Sequence, residues 1–265
     1  MRVSKRVRAC LAAGLVLSGI GFVLAATAKD TVQGYLSADQ MPDALQIVPP
    51  APVPGSARYE SDRAIFRKTR AFKDSPRWNL AADDDRYSNA AMAAKFACAL
   101  GGDLAPPKAP RFWKMIDRAT VDVVAAARTV KAHYKRERPF LVDDGDICIA
   151  RSDSLDSSPD YPSGHATVSW MLGLILAELA PDRATQILAR ARAYGESRVV
   201  CGVHNESAID AGRMEASAIV AVLHASAQFQ ADMKAARTEM ADVRKHYTRP
   251  ASCATEEALV AEPLE

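Results

Sequence analysis

Residues 164–180, GHATVSWMLGLILAELA, decide the architecture. Val168, Met171, Leu172, Ile175 and Leu179 fall at offsets 0, 3, 4, 7 and 11, which places all five on one stripe of an α-helix. Pro181 ends the pattern, because proline has no N–H to donate to a carbonyl of the preceding turn. Working outward, helical spacing also covers 59–73, 88–100, 110–136, 182–200 and 205–247, the last too long for one globular helix and therefore broken or bent. Pro110 and Arg111 open the third of these helices. Ile116, Val123 and Val124 recur along it as far as Arg138, where the following Pro139 disfavours helix. No convincing alternating strand appears. The expected fold class is all-α, a single helical-bundle domain over 58–248.

The chain has 265 residues, 49% hydrophobic and 25% charged, which excludes a collagen, a disordered polymer or a small disulfide knot. Arg2, Lys5, Arg6 and Arg8 precede an apolar run from about Ala9 to Leu24 and then Ala26-Thr27-Ala28. That order predicts a cleavable export signal over 1–28, with a mature start near Lys29 and a periplasmic or secreted destination. The run is shorter than the roughly 20 residues of a membrane span, so no membrane association is expected after cleavage. The signal holds four of the 34 basic residues and none of the 32 acidic ones, so the remainder carries a net charge of −2. Nucleic-acid binding is therefore not expected.

Residues 29–57, with Pro42, Pro49, Pro50, Pro52, Pro54 and Gly55, predict an extended arm. Residues 249–265 read as a frayed tail that Cys253 could tie down. Cys98, Cys148, Cys201 and Cys253 remain after cleavage and allow two disulfides in three connectivities. With no C-x-x-C pair and no other metal-ligand spacing, neither metal nor cofactor is expected.

The chemistry-bearing residues form three groups. Lys131 and Arg138 stand seven residues apart, about 20° on a helix of 3.6 residues per turn, and could grip one anion, with Lys135 adding to the same face. Pro162-Ser163-Gly164-His165 opens the apolar helix, where unpaired N–H groups and the positive dipole end suit phosphate. Ser163 adds a hydroxyl, Gly164 allows close backbone approach, and His165 is placed to pass a proton. Ser197-Arg198 and His204 supply a planar fork of donors and an imidazole able to attack phosphorus.

In order and spacing, Lys131-x6-Arg138-Pro139, Pro162-Ser163-Gly164-His165 and Ser197-Arg198-x5-His204 resemble the three-part motif of the phosphatidic acid phosphatase type 2 and haloperoxidase superfamily. Within it the chain looks like the bacterial class A nonspecific acid phosphatases. Similarity runs from Tyr35-Leu36 through Pro76-Arg77-Trp78 and Phe96-Ala97-Cys98 to about Val243. The resemblance implies a helical fold of the acid phosphatase and vanadium haloperoxidase type. It implies that Lys131, Arg138, Arg198, the Ser163 hydroxyl and the Gly164 N–H hold the phosphoryl oxygens. His204 would attack to give a phosphohistidine and His165 would protonate the leaving alcohol, without metal. Small phosphomonoesters and inorganic phosphate are the implied partners, and a homo-oligomer the implied assembly.

One departure stands out. The family pattern carries an aspartate that holds the nucleophilic imidazole at the position of Ala208. On a regular helix Glu206 and Asp210 would lie about 160° and 120° from His204, too far to replace it, which leaves Ser207 or a water. By analogy with serine protease triads, turnover would fall by roughly 10² to 10⁴. The competing expectation is a catalytically impaired phosphate-binding protein on the same fold. A vanadate-dependent haloperoxidase and a membrane lipid phosphatase rank below both. Asp83-Asp84-Asp85 reads as a solvated turn, Met171 and Met214 as packing residues, and His133, His224 and His246 as surface or interface histidines.

Overall fold

The computed structural model describes residues 32–262 and residue 264. The expected export signal therefore lies outside the described residues. Among the described residues there are twelve α-helices and no strand. In chain order they are α1 (Ala44–Ile47), α2 (Ala57–Thr69), α3 (Pro76–Asp83), α4 (Asn89–Leu100), α5 (Pro110–Tyr134) and α6 (Pro139–Val142). There follow α7 (Asp153–Ser157), α8 (Gly164–Leu179), α9 (Ala184–Val200), α10 (Glu206–Leu223), α11 (Ala227–Lys245) and α12 (Ser252–Ala261). None is long and apolar enough to cross a membrane.

The stripe of α8 is buried as its spacing requires, and the helix packs against α5, α9 and α10. Small residues let these axes approach. A Cβ on Gly173 would lie 2.5 Å from that of Ala191 on α9, and one on Gly212 of α10 would lie 2.8 Å from Oγ1 of Thr167. α5 buries Phe112, Trp113, Ile116, Val123 and Val130, and α11 packs along it. The long segment expected over 205–247 divides after Leu223. Ser226 then caps α11 by accepting from the Phe229 N–H at 3.3 Å.

Several sequence expectations about the fold need correction. α5 stops at Tyr134 because Lys135 takes a left-handed conformation, φ 47°, so Arg138 lies outside the helix in extended backbone ahead of α6. The helical phase between Lys131 and Arg138 therefore does not exist. The described part of the tail is not frayed: α12 is fixed by the Cys98–Cys253 disulfide to α4 and by an ion pair between Glu256 and Arg190 of α9, 3.0 Å long. Met214 is 45% exposed and fills no packing gap. The second disulfide, Cys148–Cys201, ties the loop after α6 to the end of α9. The described part of the arm is not extended throughout, since α1 forms within it, and it lies against the other helices, with the Tyr35 N–H donating to Asp122 at 2.8 Å and the Tyr161 hydroxyl donating to the Pro49 carbonyl at 2.7 Å.

Candidate active site

Four pieces of chain meet at the N-terminus of α8. They are the stretch from the end of α5 to α6, the loop before α8, the end of α9 with the turn after it, and the loop between α3 and α4. Ser163 is the N-cap of α8, its Oγ accepting from the Ala166 N–H at 3.4 Å, and its own N–H donates to the Ala208 carbonyl of α10 at 2.9 Å. A Cβ built on Gly164 would meet nothing within 4 Å, so there is open space beside Gly164 at the start of α8. Helix starts of this kind present free N–H groups and a partial positive charge.

The cations are placed by backbone carbonyls. Arg138 Nε donates to the Ser158 carbonyl and Nη1 to the Val203 carbonyl, both at 2.7 Å. Lys131 Nζ donates to the Pro159 carbonyl. A cleft of about 410 Å³ is lined by Lys131, Arg138, Ser158 and Pro159 among others. Lys135 is exposed, and Arg136 turns away to pair with Asp62 at 2.8 Å. Arg198, 2% exposed, pairs through Nη2 with Asp85 at 2.8 Å, while its Nε and Nη1 are buried without any partner.

The histidines face this group. His204 lies in the turn between α9 and α10, with Nε2 3.2 Å from Nη1 of Arg138. His165, on the first turn of α8, has Nε2 3.2 Å from the Asp85 carbonyl and its ring stacked on Tyr194 at 6.3 Å between centroids. Burial first, then the charges of Arg138, Lys131 and Arg198, holds His204 well below the usual histidine range. Burial, then Arg198 and His204, does the same to His165. Lys131 is brought down to about 8 by burial and then by Arg138. The contacts gather these side chains: Lys131 and Arg138 share the adjacent Ser158 and Pro159 carbonyls, Arg138 touches His204, and Asp85 meets both Arg198 and the His165 ring beside the Ser163-Gly164 turn.

Sequence reasoning missed two carboxylates here. Asp160, wholly buried, has Oδ1 2.9 Å from Nδ1 of His204. The expectation that His204 lacks an acid is thereby corrected. It failed because His204 is not on a helix: Asn205 is the N-cap of α10, so helical angles measured from His204 had no meaning. Ser207 does not orient the ring either, since its Oγ donates to Asp62 at 2.5 Å. The other missed acid is Asp85. The triplet expected as a solvated turn splits among three cations: Asp83 takes Lys95, buried Asp84 takes Arg190 at 2.6 Å, and Asp85 takes Arg198. Buried arginines on α9 draw these side chains inward, a signal a single sequence does not carry.

Relatives that align with most of the chain include three acid phosphatases. It is 38% identical to the acid phosphatase of Zymomonas mobilis over 203 residues, 76% of this chain and 77% of the relative. It is 34% identical to the non-specific acid phosphatase of Providencia stuartii over 213 residues, 80% and 86% of the two chains. With the non-specific acid phosphatase of Salmonella typhimurium the identity is 32% over 218 residues, 82% and 87% of the two chains. The sequence profile described as the PAP2 superfamily matches residues 119–232, which include all seven candidate site residues.

Proposed function

Because the chain belongs to the PAP2 superfamily and to its non-specific acid phosphatases, we propose that it hydrolyses small phosphomonoesters through a phosphohistidine at His204. The observation that carries this reading is Arg198. A buried guanidinium with two donors unpaired is costly, and an oxyanion seated at the start of α8 would satisfy both.

In the proposed cycle neutral His204 attacks phosphorus through Nε2, and the P–O bond to the alcohol breaks. His165 gives its proton to the departing oxygen. Water then attacks the phosphohistidine, His165 takes a proton from it, and inorganic phosphate leaves with Nε2 free again. Lys131, Arg138 and Arg198 hold the equatorial oxygens, with the Ser163 hydroxyl and the Gly164 N–H. Phosphoryl transfer depends chiefly on such positioning and charge stabilisation. The depressed pKa of His204 keeps the nucleophile neutral. That of His165 must rise for it to act as an acid, and the negative charge of a bound phosphate supplies the rise, which favours an acid optimum.

The slow turnover expected from Ala208 is not retained, since Asp160 already stands at Nδ1. The impaired phosphate-binding alternative rested on the same absence and loses its support. Export through cleavage after residue 28, and assembly into a homo-oligomer, remain part of the reading. N-terminal sequencing and light scattering of the exported protein test them. The decisive assay is p-nitrophenyl phosphate hydrolysis across pH beside His204→Ala. Turnover that peaks below neutrality and vanishes in the variant is expected, and phosphate binding without turnover contradicts the proposal.

A further inference from the structure

With His204 taken as the nucleophile, we infer that Asp160 is its positioning residue, supplying from the loop before α8 the carboxylate that the family pattern carries at position 208.

The contact is direct, with Oδ1 of Asp160 2.9 Å from Nδ1 of His204. What makes it a device rather than an encounter is how firmly Asp160 is itself held. Its N–H donates to the Arg136 carbonyl at 2.8 Å. Oδ1 accepts a second bond, from the Asn205 N–H at 3.1 Å, and Oδ2 accepts from Nδ2 of Asn205 at 2.8 Å. Nη1 of Arg136 stands 3.5 Å from Oδ2. A wholly buried carboxylate so clamped has one orientation, and its remaining acceptor direction points at the imidazole.

The other acids near His204 are engaged or turned away. Asp210 pairs with Arg213 at 3.3 Å and is 61% exposed. Glu206 has a buried Oε2 with no partner at all. Asp62 is taken by Ser207 and Arg136. Asp160 is therefore the carboxylate that meets the ring among the described residues. Position 208 is close by in the fold, since the Ala208 carbonyl accepts from the Ser163 N–H on the same loop that carries Asp160. The loop ahead of α8 and the first turn of α10 are in contact, so an acid can be moved from one to the other while serving one imidazole.

The chemical consequence is a fixed tautomer. Burial pushes the Asp160 carboxyl up, and Arg136 with the two bonds from Asn205 opposes that rise. In its ionised form Asp160 is an acceptor only, so Nδ1 must carry the proton and donate it, and Nε2 keeps its lone pair on the side of Arg138. During transfer the Nδ1 proton stays where it is. Nε2 forms the bond to phosphorus, the ring becomes cationic, and Asp160 balances that charge. The carboxylate touches neither substrate nor phosphorus, so its removal should lower kcat and leave substrate binding nearly intact.

The test uses the mature chain and four variants, His204→Ala, Asp160→Asn, Asp160→Ala and the double variant Asp160→Ala/Ala208→Asp. Each is assayed for kcat and KM with p-nitrophenyl phosphate and for tungstate affinity. The expected result is a fall in kcat of roughly 10² to 10⁴ for Asp160→Asn, by analogy with triad aspartates, with KM and tungstate affinity changed by less than about three-fold. Recovery of at least about ten-fold in the double variant over Asp160→Ala is also expected. Nitrogen-15 spectra of the native protein should show His204 protonated at Nδ1, a readout that does not depend on the variants folding. A native ring protonated only at Nε2, or Asp160→Asn with native kcat, overturns the assignment while the phosphatase reading stands. Native protein without turnover, or activity surviving in His204→Ala, overturns both.

Discussion

Oδ1 of Asp85 stands 2.8 Å from Nη2 of Arg198, a guanidinium whose other two nitrogens are buried and unpaired. An acid from the α3–α4 loop thus occupies part of the cation that an incoming phosphate needs. The Asp85 side chain is 34% exposed, so the pair is worth about 1 kcal/mol at most. Asp85→Asn should therefore lower the inhibition constant of inorganic phosphate by about two- to five-fold. Unchanged or weaker inhibition would show that Asp85 does not compete with the anion.

Lys131 has a pKa brought down to about 8 by burial and by Arg138. A cation with a depressed pKa loses its charge as pH rises through that value, so anion affinity should hold below pH 8 and fall above it by up to about ten-fold per unit. Tungstate, a dianion throughout this range, is the suitable probe for calorimetry. Lys131→Arg keeps its charge and should flatten the profile. Affinity independent of pH between 7 and 10 in the native protein would remove Lys131 from the pocket.

Glu215 on α10 is 1% exposed, and burial raises its pKa from 4.5 to about 8. The folded state thus keeps a proton that the unfolded chain releases above 4.5. The stability this contributes is full below pH 4.5 and drains away as pH rises through about 8. Glu215→Gln does not titrate, so its Tm relative to the native protein should climb between pH 5 and 8 and level off above, by about 4 °C or more. A difference in Tm that is flat with pH would contradict this assignment.

The two disulfides should separate stability from activity. Cys98→Ala/Cys253→Ala frees α12, far along the chain from the catalytic groups, and should cost about 2–4 kcal/mol with kcat unchanged. Cys148→Ala/Cys201→Ala loosens the end of α9 just before His204 and should lower kcat as well. Thermal melts and rates on both pairs check the contrast, and equal effects on kcat would refute it.

Local signals were legible where local physics decides. The stripe of α8, its Pro181 stop and its Ser163 cap are all written in adjacent residues, as are the three motifs that converge on its first turn. Ser75 and Pro76 likewise mark the start of α3 as cap and first-turn proline. Tertiary effects were not legible. Nothing nearby announces that Lys135 turns left-handed and takes Arg138 off the helix. Asp160 lies 44 positions before His204 and reads as a turn residue. The weakly patterned α12 owes its order to Cys253 and Arg190 rather than to its own apolar face.

A phosphohistidine at His204 is tested most directly by rapid mixing with p-nitrophenyl phosphate, an alkaline denaturing quench that preserves the acid-labile P–N bond, and mass spectrometry. Phosphate bound to His204, formed in a burst and absent in His204→Ala, is the predicted result. Turnover with phosphate found on another residue, or with water attacking the ester and no phosphorylated protein at any time, would contradict it.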